Sequence, residues 1–225
     1  MKKLFISISF LFFFNSASFA DLNDDQQTTI EIINESKATL KNFNNDPELK
    51  WFRNHFTRAK GILIIPTLLK GGFIFGGSGG TGVLFRHNME NNQWSYPGFY
   101  SVGSISVGFQ IGLEIAEVVL LIMTDRGMDA LLSSKLQLGS DASIALGPVG
   151  IGTQAATSDV LQYARAKGAF VGLTLEGSIL SIRDSLNEAY YGRPVRPVEI
   201  FITGEVNNSQ ADSIRYMLET LEKAP

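Results

Sequence analysis

The sequence contains no cysteine and only two histidines, His55 and His87, among its 225 residues. Without cysteine, the chain can form no disulfide and has no thiol to carry an N-terminal lipid. Two histidines are also too few for the His and Cys ligand sets that hold zinc in proteins. We therefore expect neither a metal nor any other cofactor.

Catalytic patterns are also missing. Ser-His-Asp catalysis needs a histidine oriented by a carboxylate, and the sequence has no G-x-S-x-G nucleophile elbow. Glu114 and Glu117 lie three positions apart in a predicted strand, so their side chains point to opposite faces and do not form a catalytic pair. The aspartates are scattered and are interpreted as helix caps and turn residues. We predict that the protein is not an enzyme.

The charge balance is mildly acidic, with 19 Lys and Arg residues against 22 Asp and Glu residues. A chain with this balance lacks the electrostatic footprint of a nucleic-acid-binding protein. After the N-terminus, the most apolar run is residues 115–123, which is too short to span a bilayer and contains Glu117.

The N-terminus has the pattern of a secretory signal peptide. Lys2 and Lys3 precede an apolar run over residues 4–14, and Ser18 and Ala20 occupy positions −3 and −1 of a cleavage site. A transmembrane anchor is the alternative, which the shortness of the run disfavours. Cleavage of residues 1–20 would remove two of the 19 basic residues, so that 17 face 22 acidic ones and the net charge changes from −3 to −5. We expect one domain over residues 21–225 in the bacterial periplasm or secreted, with peripheral membrane association as an option.

The segment GSGGTG, residues 77–82, matches the G-x-G-x-x-G pattern of dinucleotide-binding loops. That loop must lead into a helix and be followed by an acidic residue about 20 positions later. Here Val83-Leu84-Phe85 is strand-like, Glu90 comes too early and Glu114 too late. No lysine follows the glycines, which also excludes a P-loop. We therefore predict no bound nucleotide and assign these glycines to a tight turn between two strands.

Hydrophobic periodicity predicts helices at both ends of the chain and strands between them. Helices are expected over residues 24–43, 47–60, 126–134 and 184–191, the last closed by Gly192, and in the C-terminal segment with Ile214 and Leu218 on its buried stripe. Between residues 62 and 183 the pattern is that of glycine-rich strands, the first ending at Pro66. This order predicts an α+β fold with a curved, largely antiparallel, glycine-rich and partly barrel-like sheet packed against N-terminal and C-terminal helices.

Basic residues provide the candidate binding site. In the predicted helix over residues 47–60, Arg53 and Lys60 flank an apolar stripe that includes Phe52 and Phe56, an arrangement that suits a membrane surface. The alternative is an ordinary core helix with solvated charges, which the periodicity alone favours. A second basic group would form if the fold brought four further residues together, namely Lys70, Arg86, Arg165 and Lys167.

A series of motifs resembles the SYLF domain, a lipid-binding family found in bacteria and in eukaryotic proteins of membrane and actin dynamics. The resemblance spans residues 54–204, and its motifs occur in the family's order. They are Ala59-Lys60-Gly61-Ile62 with Pro66; Lys70-Gly71-Gly72-Phe73; Gly82-Val83-Leu84; Trp94-Ser95-Tyr96-Pro97; Gly108-Phe109-Gln110-Ile111-Gly112; Ala145-Leu146-Gly147-Pro148-Val149-Gly150; Tyr163-Ala164-Arg165-Ala166-Lys167-Gly168-Ala169-Phe170-Val171-Gly172 with Leu175-Glu176-Gly177; and Asn187 with Tyr190-Tyr191-Gly192.

The resemblance implies binding to acidic membrane lipids without catalysis. For an exported protein, anionic phospholipids would replace the phosphoinositides bound by eukaryotic members. The resulting hypothesis places the headgroups near six basic residues and the bilayer interface near two aromatic ones, namely Arg53, Lys60, Lys70, Arg86, Arg165 and Lys167 with Phe52 and Phe56. The alternative is a periplasmic structural or protein-interaction module that binds an envelope protein and has no lipid specificity.

Overall fold

The computed structural model describes residues 17–46, 50–72, 75–107, 112–147, 158–166, 169–170 and 173–222. The helices are α1 (Ala17–Asn45), α2 (Lys50–Phe56), α3 (Asp125–Ala130), α4 (Asp184–Tyr191), α5 (Pro197–Phe201) and α6 (Asp212–Glu222). The strands are β1 (Gly61–Gly72), β2 (Phe75–Asn88), β3 (Gln93–Trp94), β4 (Gly98–Val107), β5 (Gly112–Ile122), β6 (Lys135–Gln137), β7 (Ile144–Leu146), β8 (Val160–Ala166), β9 (Ala169–Phe170) and β10 (Ile179–Ile182).

These ten strands form one strongly curled, half-barrel sheet. Its main path runs β6-β10-β4-β2-β1-β5-β8-β7, with β3 paired to β2 and β9 paired to β8. The neighbours are antiparallel except for β7 and β8, which are parallel. Helices flank the sheet at both ends of the chain, so the predicted α+β class and curved, largely antiparallel sheet are confirmed.

One face of the sheet, here called the helix face, packs against α1, α2, α4 and α6. Leu40 and Phe43 of α1 and Ile214 and Leu218 of α6 are fully buried there. Both helices were predicted from their apolar periodicity, and the predicted end of α4 is also confirmed because Gly192 has φ 69°. Glycine adopts this left-handed conformation without the steric cost of a side chain.

The opposite face, here called the second face, forms a separate core. Leu63, Leu84, Val118 and Leu120 of the central strands belong to it, together with Met128 of α3. Alternation along each strand sends successive side chains into different cores, because side chains in a strand point to opposite faces in turn. The near-continuous apolar runs in β1 and β5 follow directly from this burial on both sides.

Helix boundaries differ from the predictions at several positions. Helix α1 begins at Ala17 rather than at residue 24, and α3 ends at Ala130 rather than at residue 134. Helix α2 ends at Phe56 rather than at residue 60, while residues 47–49 of the predicted helix lie outside the described residues. Helix α5 was not predicted, although Pro197 opens it. Residues 1–16 of the predicted signal peptide also lie outside the described residues, and its cleavage stays a prediction. Within the described chain, no helix has the length and apolarity needed to cross a membrane.

Strand β1 does not end at Pro66. It continues to Gly72, and the register with both neighbours shifts between Ile64 and Leu68. Proline has no amide hydrogen to give to a ladder, and a β-bulge is one of the few sheet positions that tolerate it. The expectation of a strand end was therefore wrong, and Pro66 marks a bulge in a long strand.

The glycines of GSGGTG lie within β2. The prediction that they form a tight turn between two strands was therefore wrong. A Cβ atom on Gly80 would lie 2.6 Å from the carbonyl oxygen of Thr67, and one on Gly82 would collide with the carbonyl oxygen of Ile64. Both carbonyls flank the bulge at Pro66. These glycines therefore let the bulged strand approach its neighbour closely, while Gly79 in the same strand faces open space with its nearest contact at 3.9 Å.

We predict that Gly82→Ala destabilises the protein by about 1–3 kcal/mol, because the added methyl group overpacks the bulge. The matched control is Gly79→Ala, which should change the free energy of unfolding by no more than about 0.5 kcal/mol. Urea denaturation of both variants measures the difference. Equal loss of stability in the two variants would contradict the close-approach explanation.

A single buried carboxylate ties α3 to the neighbouring loops. Asp159 accepts hydrogen bonds from Thr124 Oγ1 at 2.6 Å, from the backbone and side chain of Ser143 at 2.9 and 2.7 Å, and from Arg126. Burial alone would raise the pKa of this carboxyl, but the hydrogen bonds from Arg126, Thr124 and Ser143 outweigh burial and hold its pKa well below the usual range. The ionised form of Asp159 therefore stabilises the fold.

We predict that Asp159→Asn costs about 2–4 kcal/mol of stability at neutral pH, since the asparagine accepts fewer hydrogen bonds and leaves Arg126 without its partner. The folded pKa of Asp159 lies below the unfolded value of about 3.9, so its contribution is present above that value and is lost as the pH falls towards the folded pKa. Acid titration of stability should therefore fall less steeply in Asp159→Asn than in the wild type. The control Asp129→Asn, at an exposed position of α3, should retain the wild-type profile. Parallel profiles for the wild type and Asp159→Asn would contradict the assignment.

Candidate functional site: a basic cleft and an aliphatic end of the sheet

The predicted basic residues do not form one patch. Arg53 of α2 donates from Nη1 to the carbonyl oxygens of Asn44 and Asp46 at 3.0 and 3.1 Å, so it caps the end of α1. Arg165 of β8 lies between two carboxylates, with Nη1 at 3.7 Å from Glu117 and Nε at 3.8 Å from Asp46. Arg53 therefore joins α2 to the end of α1, and Arg165 joins the sheet to the residue that follows α1. Lys167 lies outside the described residues.

The aromatic residues of α2 are in the core, which corrects the placement of Phe52 and Phe56 at a membrane interface. Their exposed fractions are 1% and 2%. Phe52 packs edge-on against Phe43 and Tyr163, and Phe56 stacks on Trp94 with ring centroids 5.4 Å apart. Apolar periodicity identified a buried stripe correctly but could not distinguish burial in protein from burial in lipid. Lipid binding by the basic residues stays a prediction.

Lys60 and Arg86 are brought together in a cleft of about 630 Å³. This cleft, here called the basic cleft, lies where β1 begins and β2 ends, between the β2–β3 hairpin and the end of α5. Lys60 Nζ lies 3.4 Å from the exposed carboxylate of Asp125. Arg86 Nη1 donates to the carbonyl oxygen of Phe201 at 2.9 Å, which fixes one edge of its guanidinium.

Arg215 of α6 adds a third cation that the sequence patterns did not indicate. Its Nε and Nη2 donate to the carbonyl oxygen of Trp94 at 3.0 and 2.8 Å, and its guanidinium carbon lies 4.0 Å from the centre of the Tyr96 ring. Its Nη1 lies 3.6 Å from Asp212. Arg215 therefore holds α6 against β3, and its side chain also lines the basic cleft.

The wall of the basic cleft is a stack of aromatic rings. His87 lies parallel to Trp94 with centroids 4.5 Å apart, and both side chains are buried. His87 is also within hydrogen-bond distance of the Ala59 carbonyl oxygen and of Asn92 Oδ1. This histidine holds the hairpin against β1. Among the described residues, no group of three or more acidic or histidine side chains could hold a metal ion.

A second surface lies at the other end of the sheet. Five large aliphatic side chains are exposed there on the helix face, beyond the reach of the helices, and we call this surface the aliphatic end. Its members and their exposed fractions are Leu69 (47%), Ile105 (91%), Leu113 (73%), Ile115 (55%) and Ile179 (47%).

Strand register places these side chains in two adjacent cross-strand rows. One row reads Ile115, Leu69, Gly79, Gly103 and Ile179 across five strands, and the other reads Leu113, Gly71, Gly77 and Ile105 across four. Each of these positions is leucine, isoleucine or glycine, and the first row continues beyond Ile179 to the exposed Gln137 of β6. The aliphatic end is therefore a hydrocarbon surface that is bordered on β6 by a polar side chain, that of Gln137.

A polar row separates the aliphatic end from the buried core of the helix face. Thr81, Ser101 and Ser181 are paired across three strands, and Glu117 is paired with Arg165 on the other side of the bulge. Thr39 and Asn42 of α1 donate hydrogen bonds to Glu117 Oε1 at 2.9 and 3.0 Å. Since this row interrupts the apolar surface, the aliphatic end is not simply an uncovered margin of the core.

The second face at the same end of the sheet is polar. Glu114, Lys70, Ser78 and Ser104 form a row across four strands, and the two serine hydroxyls lie 2.8 Å apart. Glu114 and Glu117 thus lie on opposite faces, as the strand alternation predicted. Lys70 follows Leu69 directly in β1, so a positive charge lies close to the aliphatic end.

The comparison with protein families matches residues 103–224 to the family described as Ysc84, Las17-binding protein actin regulator. The matched region covers more than half of the chain and includes strands from β4 onwards, α3 to α6 and Arg215.

Curated relatives include the human SH3 domain-containing YSC84-like protein 1, which is 28% identical over 169 residues, covering 72% of this chain and 49% of the relative. LAS seventeen-binding protein 3 of Saccharomyces cerevisiae is 32% identical over 143 residues, covering 60% of this chain and 31% of the relative. SH3 domain-containing protein PJ696.02 of Schizosaccharomyces pombe is 34% identical over 143 residues, covering 60% of this chain and 33% of the relative.

The chain spans about half the length or less of the curated relatives that it matches. The resemblance drawn from its motifs is nevertheless confirmed, because the family match covers more than half of the chain, from within β4 to the C-terminal helix. The chain belongs to the Ysc84, or SYLF, family.

Proposed function

We propose that this chain is a non-catalytic lipid-binding protein of the bacterial cell envelope that contacts a membrane through the aliphatic end of its sheet. The observation that carries this proposal is the pair of cross-strand rows containing Leu69, Ile105, Leu113, Ile115 and Ile179. Periplasmic or secreted localisation is part of the proposal and depends on the predicted signal peptide.

The composition of the aliphatic end favours hydrocarbon as its partner. Exposed apolar patches of several hundred Å² mark contact surfaces on soluble domains. A protein interface of that kind is typically anchored by aromatic, methionine or arginine side chains and carries directional hydrogen bonds. The two rows provide aliphatic side chains and glycine, with Gln137 as a polar neighbour at the edge. A bilayer requires no directional partner, and its hydrocarbon would cover Ile105 and Leu113 at no loss of hydrogen bonds.

Lys70 would add a slight preference for anionic headgroups, which its cross-strand neighbour Glu114 reduces. Lys70 lies on the polar second face next to Leu69 and can reach a headgroup along its flexible stem. A single lysine near an anionic surface contributes about 1 kcal/mol, which is less than the aliphatic side chains provide. In this proposal Arg53 and Arg165 do not contact lipid, because Arg53 is held by the carbonyl oxygens at the end of α1 and Arg165 lies between Asp46 and Glu117.

We predict that the double variant Ile105→Glu/Leu113→Glu weakens binding to vesicles of phosphatidylcholine and phosphatidylglycerol by about tenfold or more. Burying either side chain in hydrocarbon contributes on the order of 1.5 kcal/mol, and a buried glutamate adds a penalty. Flotation of vesicles with bound protein measures the change. Wild-type binding should decrease only slightly as salt is raised, since hydrocarbon contact is not screened.

The matched control is Val198→Glu, at an exposed aliphatic position of α5 that lies away from the aliphatic end. This variant should bind vesicles like the wild type. A basic-helix mechanism gives the opposite pattern: binding would vanish at moderate salt and would depend on Arg53 and Lys60 rather than on Ile105. Unchanged flotation of the double variant would rule out the aliphatic end as the contact surface.

A protein-interaction function is the second candidate, and the names of two yeast relatives favour it. LAS seventeen-binding protein 3 and the SH3 domain-containing protein of fission yeast are named for protein binding or for a protein-binding domain. If a protein partner replaced lipid on this chain, the wild type would not float with the vesicles of phosphatidylcholine and phosphatidylglycerol. The Val198→Glu variant would still bind that partner, and Ile105→Glu/Leu113→Glu would not.

A further inference from the structure

We propose that the basic cleft is a binding site for a phosphate group, with Arg86 as its principal ligand. The site is distinct from the aliphatic end. Its volume of about 630 Å³ lies within the range typical of small-molecule sites. It is lined by three cationic side chains, those of Lys60, Arg86 and Arg215, and by two acidic ones, those of Glu90 and Asp125, in a chain whose overall net charge is −3.

Arg86 differs from the other two cations in its partners. Lys60 has Asp125 at 3.4 Å, and Arg215 has Asp212 at 3.6 Å. Within the described part of the chain, Arg86 forms no ion pair, and its guanidinium is held by one hydrogen bond from Nη1 to the carbonyl oxygen of Phe201. The guanidinium is therefore preorganised by that carbonyl, while Nε and Nη2 keep their hydrogens for a ligand. A guanidinium fork fits the geometry of a phosphate oxygen pair.

Lys60 can join Arg86 at low cost. Its partner Asp125 is exposed to the extent of 75% of its side chain, and such a surface ion pair contributes little to stability. The backbone of Lys60 is fixed next to β2, since His87 donates its amide hydrogen to the Lys60 carbonyl oxygen at 2.9 Å. A phosphate with three acceptor oxygens can therefore bind Arg86 and attract Lys60 away from Asp125. A carboxylate ligand has only two acceptor oxygens for the same cations, so the site favours phosphate over carboxylate.

The phosphate could belong to a soluble phosphate ester or to a lipid headgroup. Lys60 and Leu69 are separated by nine positions along β1, which corresponds to roughly 30 Å of strand. A membrane in contact with the aliphatic end would therefore lie far from the basic cleft. This distance favours a soluble phosphate ester.

Titration of the isotopically labelled protein with inorganic phosphate at constant ionic strength tests the site by NMR. We expect saturable shifts in backbone amides around the cleft, including those of Asn91 and Gly204. Arg86→Gln should weaken phosphate binding by about tenfold or more, because the bidentate partner is lost. Lys60→Gln should weaken it severalfold, and it removes no contact to the backbone. The control Arg58→Gln, at an exposed arginine outside the cleft, should titrate like the wild type.

Vesicle flotation identifies the source of the phosphate. If the ligand is a soluble ester, Arg86→Gln and the wild type bind vesicles of phosphatidylcholine and phosphatidylglycerol equally. If Arg86→Gln loses vesicle binding, the soluble source is overturned. The site itself is overturned if chloride produces the same shifts as phosphate, or if both Lys60→Gln and Arg86→Gln titrate like the wild type. The phosphate titration does not depend on the aliphatic end, so the site and the proposed membrane contact succeed or fail separately. Only the choice of a soluble source rests on that membrane contact.

Discussion

The contact of α1 with Glu117 and Arg165 determines where the helix face ends. Two α1 side chains donate to Glu117, and Arg165 links that carboxylate to Asp46 just after the helix. A half-buried carboxylate needs these partners, because burial of an unpaired charge is costly. The helix is therefore anchored above the polar row, and the strands continue past it. Without this anchor the aliphatic end would be part of an ordinary core.

The long strands divide the protein into two ends with different chemistry. At one end, short hydrogen bonds to main-chain carbonyls position Arg86 and Arg215 around a polar cleft. At the other end, leucine, isoleucine and glycine fill two cross-strand rows, with the polar Gln137 at their edge. The bulge at Pro66 and the glycines opposite it allow a strand of this length to follow the curl of the sheet. One sheet can thus present an apolar surface and a cationic cleft at the same time.

Family membership identifies the domain, whereas the aliphatic end and the basic cleft concern what this particular chain binds. The family match identifies the domain, and the names of the relatives concern binding and regulation rather than catalysis. The domain of this chain makes up only part of each relative, so the activities of those longer proteins do not transfer as a whole. Membrane contact and phosphate binding are therefore argued from the side chains of this chain, and each depends on its own residues.

The sequence by itself determined the fold class, the terminal helices and the family, because apolar periodicity and ordered motifs are local signals. It also located the region of strands between residues 62 and 183, though not the length of β1 or the glycines within β2, and it predicted that Glu114 and Glu117 face opposite ways. Only the tertiary structure decided which apolar residues are exposed: Phe52 and Ile105 both lie in apolar patterns, yet one is buried and the other is 91% exposed. It also decided that Arg53 caps a helix while Arg86 lines a cleft. The physical reason is that exposure and charge pairing depend on contacts between residues far apart in the chain, such as Arg86 with Phe201 and Glu117 with Thr39, and no local pattern encodes them.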